Sequence, residues 1–456
     1  MQYKSATQGT MIRELQLVTK KIIWLMQWFM KSCCQYVKTN TMQRINKLLA
    51  AFIALIFLTG CFKDKVTHTY TLLKPVYKSK TEVLSQVKSN AAQSLANPGK
   101  IFVYGDYLFV NEINKGVHVI DNSNPKSPVN KRFINIPGNV DIAVKGTTLY
   151  ADIYTDMLTL DISNPLEATV KKVTNSVFPE RQYGNGFVAD NSQYIVDWIR
   201  KDTTVDYESN GWPCRGCGIW FEMAVFNSAT PQTRAALTVG IAGSMSRFNI
   251  VSNYLYAVNK SSLVVFDINN QTQPEKVNTV PVGWEIETIY PFKDKLFIGS
   301  TTGMFIYDIS NAAAPAYVSS VSHIRRCDPV ITDGEFAYVT LRAGVVCGGT
   351  TESQMQVLGV SNIANPILLK TYSLENPYGL GKTGNLLWVC DGKAGLKVYD
   401  ATNPLAMSVK HEFKNLEAFD VIPLGNKIIV SAKEGIVQFD ANDPTKIVEL
   451  SRISKH

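Results

Sequence analysis

The chain has 456 residues, of which 45% are hydrophobic and 18% charged, and it carries a formal net charge of +8. That charge is not a nucleic-acid footprint. Residues 1–60 hold eight Lys/Arg and one Glu, which leaves 38 basic against 37 acidic residues in the rest of the chain, so no cationic surface is implied beyond the front end.

Read in chain order, residues 1–41 fit awkwardly. The apolar stretch 22–30 between Lys21 and Lys31 is too short to cross a membrane, and the expectation is that translation starts at Met42 and the upstream segment is a gene-start artefact. From Met42 a second pattern is legible. Arg44 and Lys47 form a basic lead, residues 48–58 an apolar run, and Leu58-Thr59-Gly60-Cys61 matches the bacterial lipobox. Residues 42–60 therefore read as a lipoprotein signal peptide. Cys61 reads as the lipidation site of a mature protein, whose diacylglyceryl and palmitate-type chains hold it to a membrane, since two chains anchor firmly where one does not. The implied location is the cell envelope, on the outer membrane, with the periplasmic or surface face left open. Residues 61–97 are polar and read as a tether with a weak helical patch at 81–88; a segment such as 70–77 could add an outer strand to the downstream domain.

Downstream of residue 90 helical spacing is almost absent, and one phrase recurs eight times at a spacing near 40 residues. It is an apolar run, an Asp, and then a turn ending in Pro. Val117 to Asp121 and Pro125 is one copy. The others run to Asp161 and Pro165, Asp267 and Pro274, Asp308 and Pro315, Asp400 and Pro404, and Asp440 and Pro444, with degraded copies at 227–231 and 359–366 that lack the Asp. A fixed period of this length means one supersecondary unit copied many times. Within a unit, short alternating runs such as Thr148-Leu149-Tyr150-Ala151-Asp152 read as half-buried strands, and four antiparallel strands joined by tight turns make a propeller blade. The expected fold is all-β, a propeller of eight four-stranded blades over 98–456, with seven blades and one repeat outside the ring as the alternative. The repeated Asp reads as a turn-fixing acceptor of backbone N–H rather than a calcium ligand, because the phrase offers too few oxygens.

These repeats, with the stretch 97–110, resemble the LVIVD-repeat proteins, a family of bacterial β-propellers often found as lipoproteins in the Bacteroidetes. The resemblance spans roughly residues 75–456. It implies the propeller fold and brings no assigned molecular activity.

Candidate sites are sparse. In an exported protein Cys214, Cys217, Cys327 and Cys347 are disulfide candidates, the first two pinning a long insertion near 201–218 in the third repeat, the second two lying before the first strand and after the second strand of the sixth. Zinc or redox chemistry at Cys214 and Cys217 is the minor alternative, since the five His show no paired spacing. Cys390 reads as a lone buried thiol. Trp198, Trp212, Arg215 and Trp220 crowd the third-repeat insertion as a possible binding loop. Aligning the repeats puts Lys100, Asp141, Gly186, Arg247, Thr288, Asp328, Gly379 and Asp420 at the entrance of the innermost strands, either as a ligand ring or as Asp–Lys and Asp–Arg pairs that plug the channel. No metal, cofactor, nucleophile motif or nucleic-acid partner is implied. The expectation is a membrane-anchored, non-catalytic module that binds a protein or glycan. The alternatives are a hydrolase or lyase acting on an extracellular polymer, and a structural envelope protein.

Overall fold

The apolar run before each repeated Asp is the third strand of a four-stranded antiparallel sheet. The computed structural model describes residues 67–184, 187–206, 246–322, 329–343 and 352–455. Seven such sheets follow one another, at 98–135, 142–174, 248–281, 286–322, 330–374, 380–413 and 418–454, and the strands within each sheet pair in sequence order. They are numbered here as blades 1 to 7. All four strands of every blade come from contiguous sequence, so no strand is exchanged between the chain ends to close the ring. Blade 7 instead packs on blade 1 through side chains, with Ile429 and Ile436 against Ile101, Leu108, Val110 and Ile120.

The expectation of eight blades is therefore corrected to its seven-bladed alternative, and the third repeat is the one left outside. The innermost strands of blades 2 and 3 touch directly. Ala143, Tyr150 and Met157 of blade 2 share one core with Phe248, Leu255, Ala257, Val264 and Phe266 of blade 3. The contact is the ordinary one between neighbours: Tyr150 donates its hydroxyl to Gln271 O (2.8 Å) as Tyr256 of blade 3 donates to Ala312 O (2.8 Å) of blade 4. Where the third repeat was expected to form a blade, its described part makes a small hairpin, Tyr183–Gly184 with Phe187–Val188, and a long strand, Gln193–Asp206. That strand pairs with Thr67–Ser79 from the expected tether. A 14-residue strand cannot fit the blade pattern, whose strands run three to eight residues. The fifth, outer strand expected near 70–77 is supplied instead by Lys88–Ala91, which pairs with the outermost strand of blade 1.

The repeated phrase is a turn device. Oδ1 of Asp121, Asp161, Asp267, Asp308, Asp400 and Asp440 accepts the backbone N–H two residues on, at 2.7–3.1 Å. The following Asn or Asp repeats the trick at Asn124, Asn164, Asn362, Asn403 and Asp443. These bonds satisfy the backbone groups that the tight exit would otherwise strand. Just beside the turn, every blade carries a register shift between its third and fourth strands, such as Val119/Ile120 and Ile306/Tyr307, and the bulge adds local twist. At the other end, Gly116 and Gly303 open third strands at φ +146° and +158°, where an added Cβ would collide with the carbonyl oxygens of Ile134 and Val321.

Two outcomes follow from this packing. Gly303→Ala should destabilise the protein by about 1–3 kcal/mol, the usual cost of forcing a side chain into such a conformation; an unchanged urea midpoint contradicts the account. Hydrogen bonding by Lys295 to Asp308, and by Thr402 to Asp400, holds both carboxyls down at about 2 against an ordinary 3.8. Because the folded-state values are depressed, the stability they supply is present above about pH 4 and is lost as pH falls toward 2. An Asp308→Asn, Asp400→Asn double variant should lose less stability than the parent over that interval in acid titrations followed by circular dichroism.

Candidate functional site

Antiparallel blades put two kinds of connection at one end of the ring: those joining second to third strands, and those crossing from one blade to the next. The described strands that flank the third-repeat insertion, the crossover into blade 5 and the link between the second and third strands of blade 5 end on that side: Phe248, Ser322 and Val330, and Leu341 and Ser353. The innermost strands also begin there, so the residues at their entrance surround the mouth.

Equivalent positions at that entrance are fixed by pairing with the second strand. Thr288 stands across from Gly299 and Asp420 from Ser431. The carbonyls of Asp141, Arg247, Pro329 and Gly379 accept the N–H groups of Asp152, Val258, Thr340 and Cys390. In blade 5 the position is thus Pro329, not Asp328, which with Gly186 lies outside the described residues. Lys100, Asp141, Thr288 and Asp420 are buried, and a Cβ at Gly379 would collide with the Asp420 carboxylate.

Two of the expected residues form a clasp. Lys100 Nζ lies 3.0 Å from Asp141 Oδ1 and donates to Ser246 Oγ (2.6 Å) and Phe248 O (3.0 Å). Asp141 Oδ1 also accepts Ile142 N–H (2.7 Å), and Oδ2 accepts the N–H groups of Arg247 (2.6 Å) and Phe248 (3.0 Å). One carboxylate on blade 2 thereby holds blade 1 by a side chain and blade 3 by its backbone. Burial pushes the Asp141 carboxyl up from its usual range, against the pull of Lys100 and the Arg247 N–H. Four donors fill its acceptor sites, so Asp141 serves as a closure rather than a hand held out to a ligand.

Other carboxylates at this end carry no mark in the repeated phrase. Asp152 Oδ1 accepts Asn139 Nδ2 (2.7 Å), Val140 N–H (2.7 Å) and Asp141 N–H (2.9 Å), while Oδ2 pairs with Arg181. Glu112 takes the N–H groups of Ala96 and Asn97 and lies 3.1 Å from His118 Nε2. Burial opposes ionisation there, but His118 and the two N–H groups outweigh it and hold the carboxyl below the usual range. Asp391 accepts from Glu375 N–H (3.0 Å), Asn376 N–H (2.7 Å) and Lys397 Nζ (2.6 Å). Each ties the incoming crossover to the end of a second strand. The available sequence signal was an acidic residue at or just after the apolar run of that strand, in Asn111-Glu112, Ala151-Asp152 and Cys390-Asp391.

Arg247 differs from its neighbours. Its side chain is half-buried, and its Nε, shielded from solvent, has no hydrogen-bond partner among the described residues. Burial and the adjacent Arg181 guanidinium push its pKa down. Glu180, on the short 3-10 turn Pro179–Gln182 with Arg181, is pushed up by burial and faces Arg181, Arg247 and Lys260.

Of the expected binding loop, Trp198 sits on the strand Gln193–Asp206 and packs on Gly184 and edge-on to Phe187 at 6.0 Å. Trp212, Arg215, Trp220 and the disulfide candidates Cys214, Cys217, Cys327 and Cys347 lie outside the described residues, as do Cys61 and residues 1–60. Cys390 is a free, buried thiol, and burial pushes its pKa up. Among the described residues no helix is long and apolar enough to cross a membrane.

The family model described as LVIVD repeat matches residues 98–135, 242–281 and 296–323. The chain is a β-propeller with LVIVD repeats. The matched segments fall on blades 1, 3 and 4. No curated protein matches the sequence. Among solved structures, a protein from Lactobacillus plantarum is similar at 10% identity and TM-score 0.48, covering 81% of this chain and 96% of that one. The computationally designed Ika8 protein is similar at 9% identity and TM-score 0.47, with coverages of 80% and 92%. PorZ, a surface component of the type-IX secretion system of Porphyromonas gingivalis, is similar at 14% identity and TM-score 0.45, covering 79% of this chain and 39% of its own. Likenesses this loose carry nothing about activity.

The clasp can be tested directly. Asp141→Ala leaves the Lys100 ammonium buried without its anion and should cost about 3–5 kcal/mol. Replacing both members, Lys100→Met with Asp141→Leu, should recover part of that loss in chemical denaturation. A single substitution costing less than about 1 kcal/mol would show that the pair closes nothing.

Proposed function

We propose that this propeller is a lipid-anchored module of the bacterial cell envelope that binds a protein or glycan without catalysis, using the face where the blade crossovers and both long insertions gather. The observation that carries it is topological: the insertion before blade 3, the crossover into blade 5 and the 342–352 link all emerge at the same end. Among the described residues the opposite end carries the short turns between first and second strands and the tight, repeated Asp and Asn turns. Surface loops on a rigid scaffold are where recognition is built, and the described strands that flank the longest connections all end on this side. The charges that close the mouth, Lys100, Asp141, Asp152 and Asp391, are engaged in holding blades and crossovers together, which suits a rigid presenting surface. Anchoring through Cys61 is supported by the signal-peptide pattern at 42–60.

Two measurements test this reading. Cys61→Ser should release the protein from the membrane fraction and abolish incorporation of labelled palmitate; retention with full labelling would refute the anchor. Affinity capture from the envelope fraction with the full-length chain should recover a partner that is lost when the 342–352 link is replaced by a short turn. Turnover of an envelope polymer by the purified protein would instead favour the hydrolase alternative.

A further inference from the structure

The hairpin Tyr183–Gly184 with Phe187–Val188 has two unlike faces. Tyr183 pairs with Val188, and Gly184 with Phe187. Trp198 packs on Gly184 and lies edge-on to Phe187 at 6.0 Å, so the strand Gln193–Asp206 closes that face. Alternation sends Tyr183 and Val188 to the other face, where they are 62% and 53% exposed. Phe187 is 42% exposed, and Tyr77, at 38%, donates its hydroxyl to Val188 O (3.3 Å). Four large apolar side chains thus meet water on one small unit. Two residues beyond Trp198, on the same strand face, Arg200 is exposed and donates to Thr71 Oγ1 (3.5 Å), whose own hydroxyl donates to Asp202 (2.6 Å). One cation against one anion leaves the unit near neutral.

Chain length limits what can stand beside this unit. Only residues 62–66 separate Cys61 from the strand Thr67–Ser79, which pairs with Gln193–Asp206. Tyr77 follows Cys61 by 16 residues, so a fully extended chain, at about 3.4 Å per residue, keeps it within about 55 Å of a lipid on that cysteine. Four side chains are too few for a standard protein interface, which takes about 800 Å² from each partner. A surface that is already tethered meets its target at high effective concentration and needs far less. Aromatic rings favour the headgroup zone of a bilayer, and a guanidinium at their rim can reach phosphate. Resting on the lipid-anchored reading above, we propose that this hairpin is a membrane seat. Tyr183, Phe187 and Val188 enter the headgroup zone of the bilayer that holds Cys61, Arg200 lies beside the phosphates, and the propeller is kept in one orientation. With the charges balanced, apolar insertion carries the contact.

The test takes the protein from the cell membrane, reconstitutes it into phosphatidylethanolamine–phosphatidylglycerol vesicles and labels it with hydroxyl radicals, read residue by residue by mass spectrometry. Tyr317 on blade 4, at 57% exposure, is the internal reference. Tyr183 should label several-fold less than Tyr317 in vesicles, at low and high salt alike, and as fast as Tyr317 in the Cys61→Ser chain free of vesicles. Tyr183→Ser with Val188→Ser should unfold at the parent's temperature, since both side chains face water, and should expose Phe187 to the label. The inference is overturned by equal labelling of the two tyrosines in vesicles, or by unchanged protection of Phe187 in the double variant. It is also overturned by protection of Tyr183 that persists without vesicles, which would mean that the chain itself covers it, or by protection that high salt removes, which would mark attraction by charge. Palmitate on Cys61 with Tyr183 unprotected removes the seat and leaves the anchor. If Cys61 carries no palmitate the anchor falls, and the same labelling of the chain mixed with vesicles decides the seat.

Discussion

The contact on which this structure depends is the seam between blades 2 and 3. There the chain leaves the ring after Thr174 and returns at Phe248, so two sheets far apart in sequence must pack as if they were consecutive. Asp141 makes that possible. Its carboxylate accepts the first N–H groups of the returning strand and the ammonium of Lys100 from blade 1. Lys100 in turn reaches Ser246 and Phe248 on blade 3. A charge pair removed from water gains little by itself, but this one is saturated by backbone donors and serves to specify which sheet lies beside which. Val177 and Phe178, at the start of the excursion, fill the same seam, with Phe178 5.6 Å from Phe248.

The described part of the excursion is tied to blade 2. Asp156, at the start of blade 2's third strand, receives Lys80 Nζ (2.6 Å) and the Tyr194 hydroxyl (2.8 Å), and Tyr194 stacks on Tyr154 at 5.0 Å. The residues before blade 1 and the third-repeat excursion are thereby joined to one blade.

Much of this was legible in the residues. The Asp and Asn of the turns gave the repeat its period, and their hydrogen bonds show why: in six of the seven blades the Asp holds the strand exit, so it recurs whatever the blade binds. The lone buried thiol of Cys390 followed from its position at the end of an apolar strand. The third repeat misled because its alternating residues around Tyr194 and Val196 do form a strand, but one whose partner, Thr67–Ser79, is remote in sequence, and a period cannot reveal a remote partner. The entrance ring was legible by alignment in most blades and slipped by one residue in blade 5, where Pro329 takes the place assigned to Asp328. Arg181 and Asp152 were missed because they answer to one seam rather than to the repeat.

The most direct test of the seven-membered ring is the distance across that seam. Lys145 Nζ donates to Ser252 O and Asn253 Oδ1, so cysteines placed at 145 and 253, in a chain whose native cysteines are replaced, should be joined in high yield by a short thiol cross-linker in the folded protein and not in urea. If a further blade stood between them, the two positions would be a blade's width apart, and the absence of cross-linking in the folded state would contradict the account.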